Sequence, residues 1–341
     1  MRKISIKFIL FFCTIFLIIA CQNGNNQSAN DTNNCQNISH DFGITEICQK
    51  IEKIAVLGSY NLAQILSLGY QPYGFGGYFG FEKGKKITNV KEIDPILGNL
   101  ITTEPYNLGN ANNPSLEVLS KIKPDLILGE TRNQTQYNFL SQIAPTLLFK
   151  DRTIKGKWQQ DLTTLATALN ETEKAQTIIN NYENQLNQTK ADFTEIINNK
   201  NQVLFLAGNG LNDSLFMLSK NSDLGNIFSQ LGFEIITISN DNSSVTMPIS
   251  LESLPDIGKQ ADWIFILGYN TDVKNKSNSE ILANQTATIK QDWQENSLTK
   301  SLPATLNNQV YFASYALWNG LNGSIASEYI LEQLREFLLN Y

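Results

Sequence analysis

The chain has 341 residues, with 26 Lys+Arg against 32 Asp+Glu, a formal net charge of −6, 42% hydrophobic residues and one histidine. No basic stripe rises above this acidic background, which excludes a nucleic-acid-binding surface. A lone histidine leaves nothing for a Ser-His-Asp triad or a histidine-built zinc site, and the length, beyond one typical core, predicts two domains.

Arg2, Lys3 and Lys7 precede an apolar run from Phe8 to Ala20. That run is shorter than the roughly 17 residues a bilayer span needs, and a basic segment before it marks a secretory signal over residues 1–20. The run ends in "IIAC", which resembles a bacterial lipobox, so Cys21 is expected to carry lipid and become the new N-terminus. Residues 21–34 are Asn-rich and almost devoid of apolar side chains, the composition of a flexible tether. The expected location is outside the cytoplasm, lipid-anchored to a cell membrane and facing periplasm or cell exterior.

Cys35 and Cys48 flank "QNISHDFGITEI", in which "HDFG" suits a turn between two short strands. A metal site built on them and His40 lacks a fourth ligand. Export favours oxidation, so a disulfide is expected, contributing about 3 kcal/mol by closing a short loop.

The body then repeats itself. "KIAVLG" (53–58) reads as a buried strand, "YNLAQILSLGY" as a helix stopping at Gly69, and "QPYGFGG" as a returning strand. "NQVLFLAG" (201–208) and "LGNIFSQLGFEIITI" repeat this order. "PSLEVLSKIKPDLILG" (114–129) is matched by "PISLESLPDIGKQADWIFILG" (248–268), each with Ser-Leu-Glu at a helix start and Leu-Gly at a strand end. Ser115 and Ser250 are the expected N-caps, with Glu117 and Glu252 in the favourable first turns. The predicted fold is α/β: two Rossmann-like lobes with parallel sheets, joined by one long α-helix. The expected divisions are an N-terminal lobe at 35–157, a helical connector at 158–200 and a C-terminal lobe at 201–341. Within the connector, Asn170 and Glu173 predict a capping-box-like start to a helix over about 171–199, on the order of 40 Å long. Ala326, Ile330, Leu331, Leu334, Phe337 and Leu338 form the core stripe of a last helix.

"GYQPYGFGGYFGF" (69–81) looks at first like a phosphate cradle. Its glycines follow the second strand rather than opening a helix, so the dinucleotide reading fails. Loops beyond the C-terminal ends of parallel strands face the ligand crevice. That rule selects Tyr73, Phe75, Tyr78, Phe79 and Phe81 as one wall of a cleft, with packing beneath their own loop as the rival role. It also selects Arg132 after "DLILG", Tyr269 after "WIFILG" and Trp318 after "QVYFASYAL", and to these are added Trp158, before the long connecting helix, and Arg152, in the loop before Trp158. The chain has four arginines, and a guanidinium suits anionic oxygen ligands. Neither G-x-S-x-G nor a Walker A sequence is present, so no catalytic residue is assigned.

"KIAVLGSYNLAQILSLGYQPYGF", "PSLEVLSKIKPDLILG", "LSQIAPTLLF" and "WNGLNGSIASEYILEQL" resemble the substrate-binding lipoproteins of bacterial ABC importers for ferric siderophores, haem and cobalamin. These have the class III periplasmic-binding-protein fold. The resemblance covers nearly all of the chain after residue 34. It implies a shallow inter-lobe cleft holding an iron(III)-siderophore complex as cargo, with no cofactor, and delivery by a monomer to an ABC permease dimer. It further implies that Glu117 and Glu252 meet arginines of that permease, and that Tyr315 joins the cleft. Haem or cobalamin is the alternative cargo, with a tyrosine such as Tyr78 or Tyr315 as the axial haem ligand. Lys83, Lys85 and Lys86 are alternative sources of positive charge. An exported α/β enzyme and a sensor lipoprotein are the rivals from other classes.

Overall fold

The computed structural model describes residues 35–77, 83–93, 96–238, 244–270, 280 and 284–339. Residues from Gln36 to Tyr341 form one compact unit. It opens with an antiparallel hairpin, β1 (Gln36–His40) and β2 (Gly43–Ile47), and both Cys35 and Cys48 are disulfide-bonded. The expected cystine is therefore present.

The first sheet contains β3 (Ile54–Leu57), β4 (Pro72–Gly77), β5 (Tyr106–Asn110), β6 (Asn113–Pro114), β7 (Leu126–Glu130) and β8 (Thr146–Phe149), in the order β6-β5-β4-β3-β7-β8. All its pairings are parallel except β5 with β6. Helices α1 (Ser59–Ser67), α2 (Leu116–Ile122) and α3 (Tyr137–Ile143) lie among these strands in the chain. Strands β3, β7 and β8 are buried along their whole length. Helices cover both faces, so no alternating polar pattern survives.

Three helices follow: α4 (Lys157–Leu169), α5 (Thr172–Asp192) and α6 (Thr194–Asn199). The helix expected over about 171–199 is shorter, because it divides at Phe193: its main part, α5, spans about 32 Å. At its start, Asn170 does not cap α5. It ends α4 in a left-handed conformation at φ 59°, its N–H returning to the Ala166 and Thr167 carbonyls, and Glu171 opens α5 without a side-chain cap. At its end, Phe193 leaves helical geometry at φ −97°, ψ 2° with its ring buried against Phe233. A helix-wide apolar stripe carries no warning of such a break.

The second sheet contains β9 (Gln202–Gly208), β10 (Leu215–Leu218), β11 (Glu234–Ile235), β12 (Thr246–Ile249), β13 (Trp263–Gly268) and β14 (Val310–Ser314). Its helices include α7 (Asp223–Leu231), α8 (Leu254–Gly258), α9 (Ala287–Glu295) and the final α10 (Ser324–Leu339). Parallel β11-β9-β13-β14 repeats the order β4-β3-β7-β8 of the first sheet, as the internal repetition predicts. One difference separates the halves. Antiparallel β10 takes the edge of β9 at Leu206 and Ala207, which limits β11 to pairing with Gln202 and Val203. The strand expected through Ile238 therefore shrinks to two residues.

Alternate residues of each central strand enter different cores. Ala55, Leu57 and Ile127 join one cluster, and Leu204, Leu206, Ile264 and Ile266 another. Ile54, Val56, Leu126, Leu128, Val203, Phe205 and Phe265 all enter a third cluster together with Tyr182 of α5 and Leu334 of α10. The two sheets are thus fastened through one shared core, and α10 packs on α1 of the first half as well as on α5.

Candidate functional site

The parallel strands end in positions that their sequences make special. A side chain at Gly129, near the end of β7, would place its Cβ 2.7 Å from both Asn133 Oδ1 and Leu148 Cδ2. At Gly268, the end of β13, it would meet the Gln285 carbonyl at 2.3 Å. The repeated Leu-Gly is therefore a steric requirement, because the next segment crosses tightly over each strand end.

Just beyond Gly129, Glu130 is buried. Its carboxylate accepts the Asn133 backbone N–H while Asn133 Oδ1 accepts the Glu130 N–H, a reciprocal cap that starts a turn of 3₁₀-helix at Thr131–Gln136. Both predicted arginines converge on it. Arg152 Nη1 donates to Glu130 Oε2, and Arg132 Nη2 lies 3.5 Å from the same oxygen. Arg132 Nη1 also donates to Asn112 Oδ1 at 3.2 Å. Arg152 reaches across instead, its Nε donating to the Gly320 carbonyl of the second half at 3.2 Å. Its loop is further stitched to that half by an Ile154–Ser222 bridge and by Asp223 N–H donating to the Thr153 carbonyl at 2.7 Å.

In the second half, Tyr269 directly follows β13 and Tyr315 directly follows β14. The structure brings these two rings together edge to face at 5.8 Å. With Ala207, Phe216 and Thr246 they line an open hollow of about 390 Å³. Tyr269 Oη donates to the Ser214 carbonyl at 3.3 Å, and partial burial, with Asp213 nearby, raises its phenol above the usual range. After Tyr315 the backbone makes a π-helical turn, Ala316–Gly320, which delivers the carbonyl that Arg152 holds.

Two predicted aromatics are not on this surface. Trp158 lies inside α4, fully buried, with its ring edge to face with Tyr182 at 5.1 Å. Trp318, 1% exposed, is carried inward by the π-helical turn. Its indole N–H donates to Gln333 Oε1 at 2.7 Å, and its ring packs among Phe228, Phe265 and Phe337. Both are core residues, a correction of the strand-exit rule. Phe75 is likewise buried, and Tyr73 packs on Tyr106 at the start of its strand, beside Lys53. Tyr78, Phe79, Phe81 and Cys21 lie outside the described residues. The lysine run pairs antiparallel with β5, from Gly84 opposite Asn107 down to Ile87 opposite Pro105. Lys83 therefore sits near Gly109 at the strand's outgoing end, while Lys86 lies over Tyr106 at its beginning.

Ser115 Oγ caps α2 by accepting the Val118 N–H, and Ser250 Oγ accepts the Ser253 N–H at the start of a short 3₁₀ turn leading into α8. Glu117 and Glu252 stand exposed in these first turns. Hydrogen bonds from its own backbone and from Ser250 hold Glu252 below the usual carboxylate range.

Besides Glu130, two further buried carboxylates have no signal in the sequence. Asp161 on α4 accepts Tyr60 Oη at 2.6 Å and also Lys157 Nζ, which reaches Asp41 of the hairpin turn at 2.7 Å. Burial pushes Asp161 up to about 6 despite these donors. Asp223 at the start of α7 is pushed up to about 7 by burial, against the pull of the Asn322 amide. Only Lys157, four residues before Asp161 on the same helix, is a local partner; Tyr60, Asp41 and Asn322 come from distant elements that the chain order does not point to.

The chain matches a family model described as "Periplasmic binding protein" over residues 84–316. It is 29% identical to the Fe(3+)-citrate-binding protein YfmC of Bacillus subtilis (strain 168), across 96% of each chain. It is 25% identical to the "probable siderophore-binding lipoprotein" YfiY of the same organism, across 99% of this chain and 98% of that one. Among solved structures, Staphylococcus aureus SirA complexed with staphyloferrin B superposes with a TM-score of 0.69 at 24% identity, over 89% of this chain and 98% of that one.

Proposed function

The chain belongs to the periplasmic binding protein family, and from that premise we propose that it captures an anionic ferric siderophore outside the cytoplasm and delivers it to an ABC permease. The observation that carries this reading is the pairing of opposite chemistries at the strand ends. One half offers the guanidinium of Arg132, and the other a tyrosine-lined hollow at Tyr269 and Tyr315. Ferric complexes of carboxylate siderophores present anionic oxygens around an iron whose coordination the siderophore already completes. A planar guanidinium matches such oxygens in a bidentate fork, while ring faces exclude water from the complex and phenol groups donate to its rim. Recognition of this kind is non-covalent, and no bond in the cargo is made or broken.

The relative that binds Fe(3+)-citrate supports a cargo of carboxylate type. The rest of the proposed path draws on the N-terminal sequence and on two exposed carboxylates. Cys21 carries the lipid, as the lipoprotein name of YfiY supports, and the anchor raises the effective concentration at the transporter. No helix among the described residues is long and apolar enough to cross a membrane. Glu117 and Glu252, one exposed carboxylate on each half, orient the loaded protein on the permease dimer.

Isothermal titration with ferric citrate, a ferric trihydroxamate, a ferric triscatecholate, haem and cobalamin tests the reading. Saturable sub-micromolar binding of a ferric carboxylate is expected. Binding of haem or cobalamin alone would replace the cargo, and no binding at all would remove the reading. Tryptophan quenching is a poor substitute, because Trp158 and Trp318 are both core residues.

A further inference from the structure

The two cleft arginines share one carboxylate yet are used differently. Glu130 is 5% exposed and gathers the Asn133 N–H, Arg152 and Arg132. Arg152, with its Nε on the Gly320 carbonyl, spans the two halves. Arg132, bonded to Asn112 on its own half, keeps a side chain 32% exposed. Two guanidinium groups converging on one spot repel each other, and partial desolvation increases that repulsion. The carboxylate beside both offsets it and fixes where each guanidinium sits: Glu130 Oε2 accepts from Arg152 and forms an ion pair with Arg132 at 3.5 Å.

We propose that Glu130 is a positioning and charge-setting residue of the cargo site. It holds Arg152 as a strut between the halves and presents Arg132 as the arginine that meets cargo. By cancelling one of two positive charges it tunes the cleft to ferric complexes of low negative charge. The proposal rests on the ferric-cargo reading above, and deepens it by dividing the roles of the two arginines. Glu130 itself touches no cargo.

The test uses the purified full chain, titrated with ferric citrate and with a neutral ferric trihydroxamate, for the wild type and the Glu130→Gln, Glu130→Asp and Arg132→Ala variants. Folding of each is checked by circular dichroism melts. Arg132→Ala should weaken ferric citrate at least tenfold. Glu130→Gln, which adds one net positive charge, should raise preference for ferric citrate over the neutral complex about tenfold and steepen its salt dependence. If the neutral complex does not bind, that salt dependence alone is the readout.

Glu130→Asp keeps the charge but retracts the carboxylate. It should leave the preference near wild type while weakening ferric citrate several-fold, and it carries the test if Glu130→Gln does not fold. An unchanged preference and salt slope in Glu130→Gln, or wild-type affinity in Glu130→Asp, would overturn the proposal while leaving the cargo reading intact. Wild-type affinity in Arg132→Ala would overturn it too, by moving the cargo away from the arginine. No ferric complex binding to the wild type would overturn both readings.

Discussion

Asp223 shows how a single side chain can be compelled by packing to work against its own chemistry. It is 2% exposed at the start of α7, and Oδ1 has no hydrogen-bond partner among the described residues, while Oδ2 takes the Asn322 amide at 3.3 Å. Burial raises it from an ordinary 3.8 to about 7, with Tyr182 and Tyr60 the titratable groups that feel its charge. Between those two values the folded chain holds a proton that the unfolded chain has released. Its contribution is therefore most favourable below the unfolded value, and stability falls as pH rises through about 7. Asp223→Asn removes the penalty while keeping the shape and an amide for Asn322. The variant should be more stable than wild type at pH 8 by on the order of 2–4 kcal/mol, since one unit is worth about 1.4 kcal/mol. The advantage should vanish near pH 4. Denaturant melts across that range would show it, and parallel wild-type and variant profiles would contradict it. The sequence carries no hint of this residue: "SDLGN" reads as an ordinary capped helix start, and the burial comes from Thr153 and Asn322 far away in the chain.

At the scale of elements, much was legible where local chemistry repeats. The Ser-Leu-Glu helix starts, the buried central strands and the hairpin between the cysteines all follow from short-range pattern. Elements decided by their neighbours were not. Strands β10 and β12 are short and antiparallel, and β12 contains Pro248, which is tolerated because β12 is the edge strand where a missing donor costs nothing. Trp318 was misread because a π-helical turn, which no sequence periodicity announces, folds the segment after β14 inward. The Leu-Gly strand ends yield a prediction at this scale. At Gly268 an added methyl meets backbone at 2.3 Å, whereas at Gly129 it meets the ends of two side chains at 2.7 Å. Gly268→Ala should therefore cost more than Gly129→Ala, about 3 kcal/mol or above against about 1–2 kcal/mol. Equal thermal melts for the two variants would show that the crossing segment after β13 yields as easily as a side chain does.

Across the whole molecule, the internal repetition read from the sequence reappears as one strand order used twice, β4-β3-β7-β8 and β11-β9-β13-β14. The candidate site lies where strands of both copies end, and three of its residues, Arg132, Tyr269 and Tyr315, follow from that rule together with the family resemblance. Glu130 was missed although it stands two residues before Arg132, because a buried carboxylate declares itself only through partners such as Arg152. The exposed glutamates belong to this scale as well. In the proposed delivery path, replacing both Glu117 and Glu252 by Ala should leave cargo affinity unchanged and reduce uptake by intact cells at least tenfold. Normal uptake by the double variant would exclude them as the docking pair.

A crystal structure of the protein grown with ferric citrate, with the iron located by anomalous scattering, decides where the cargo sits. One iron peak is expected at the outgoing ends of the parallel strands, with cargo oxygens on the Arg132 guanidinium and the complex against Tyr269 and Tyr315. An iron peak elsewhere on the molecule, with Arg132 and both tyrosines untouched, would contradict the proposed cargo site.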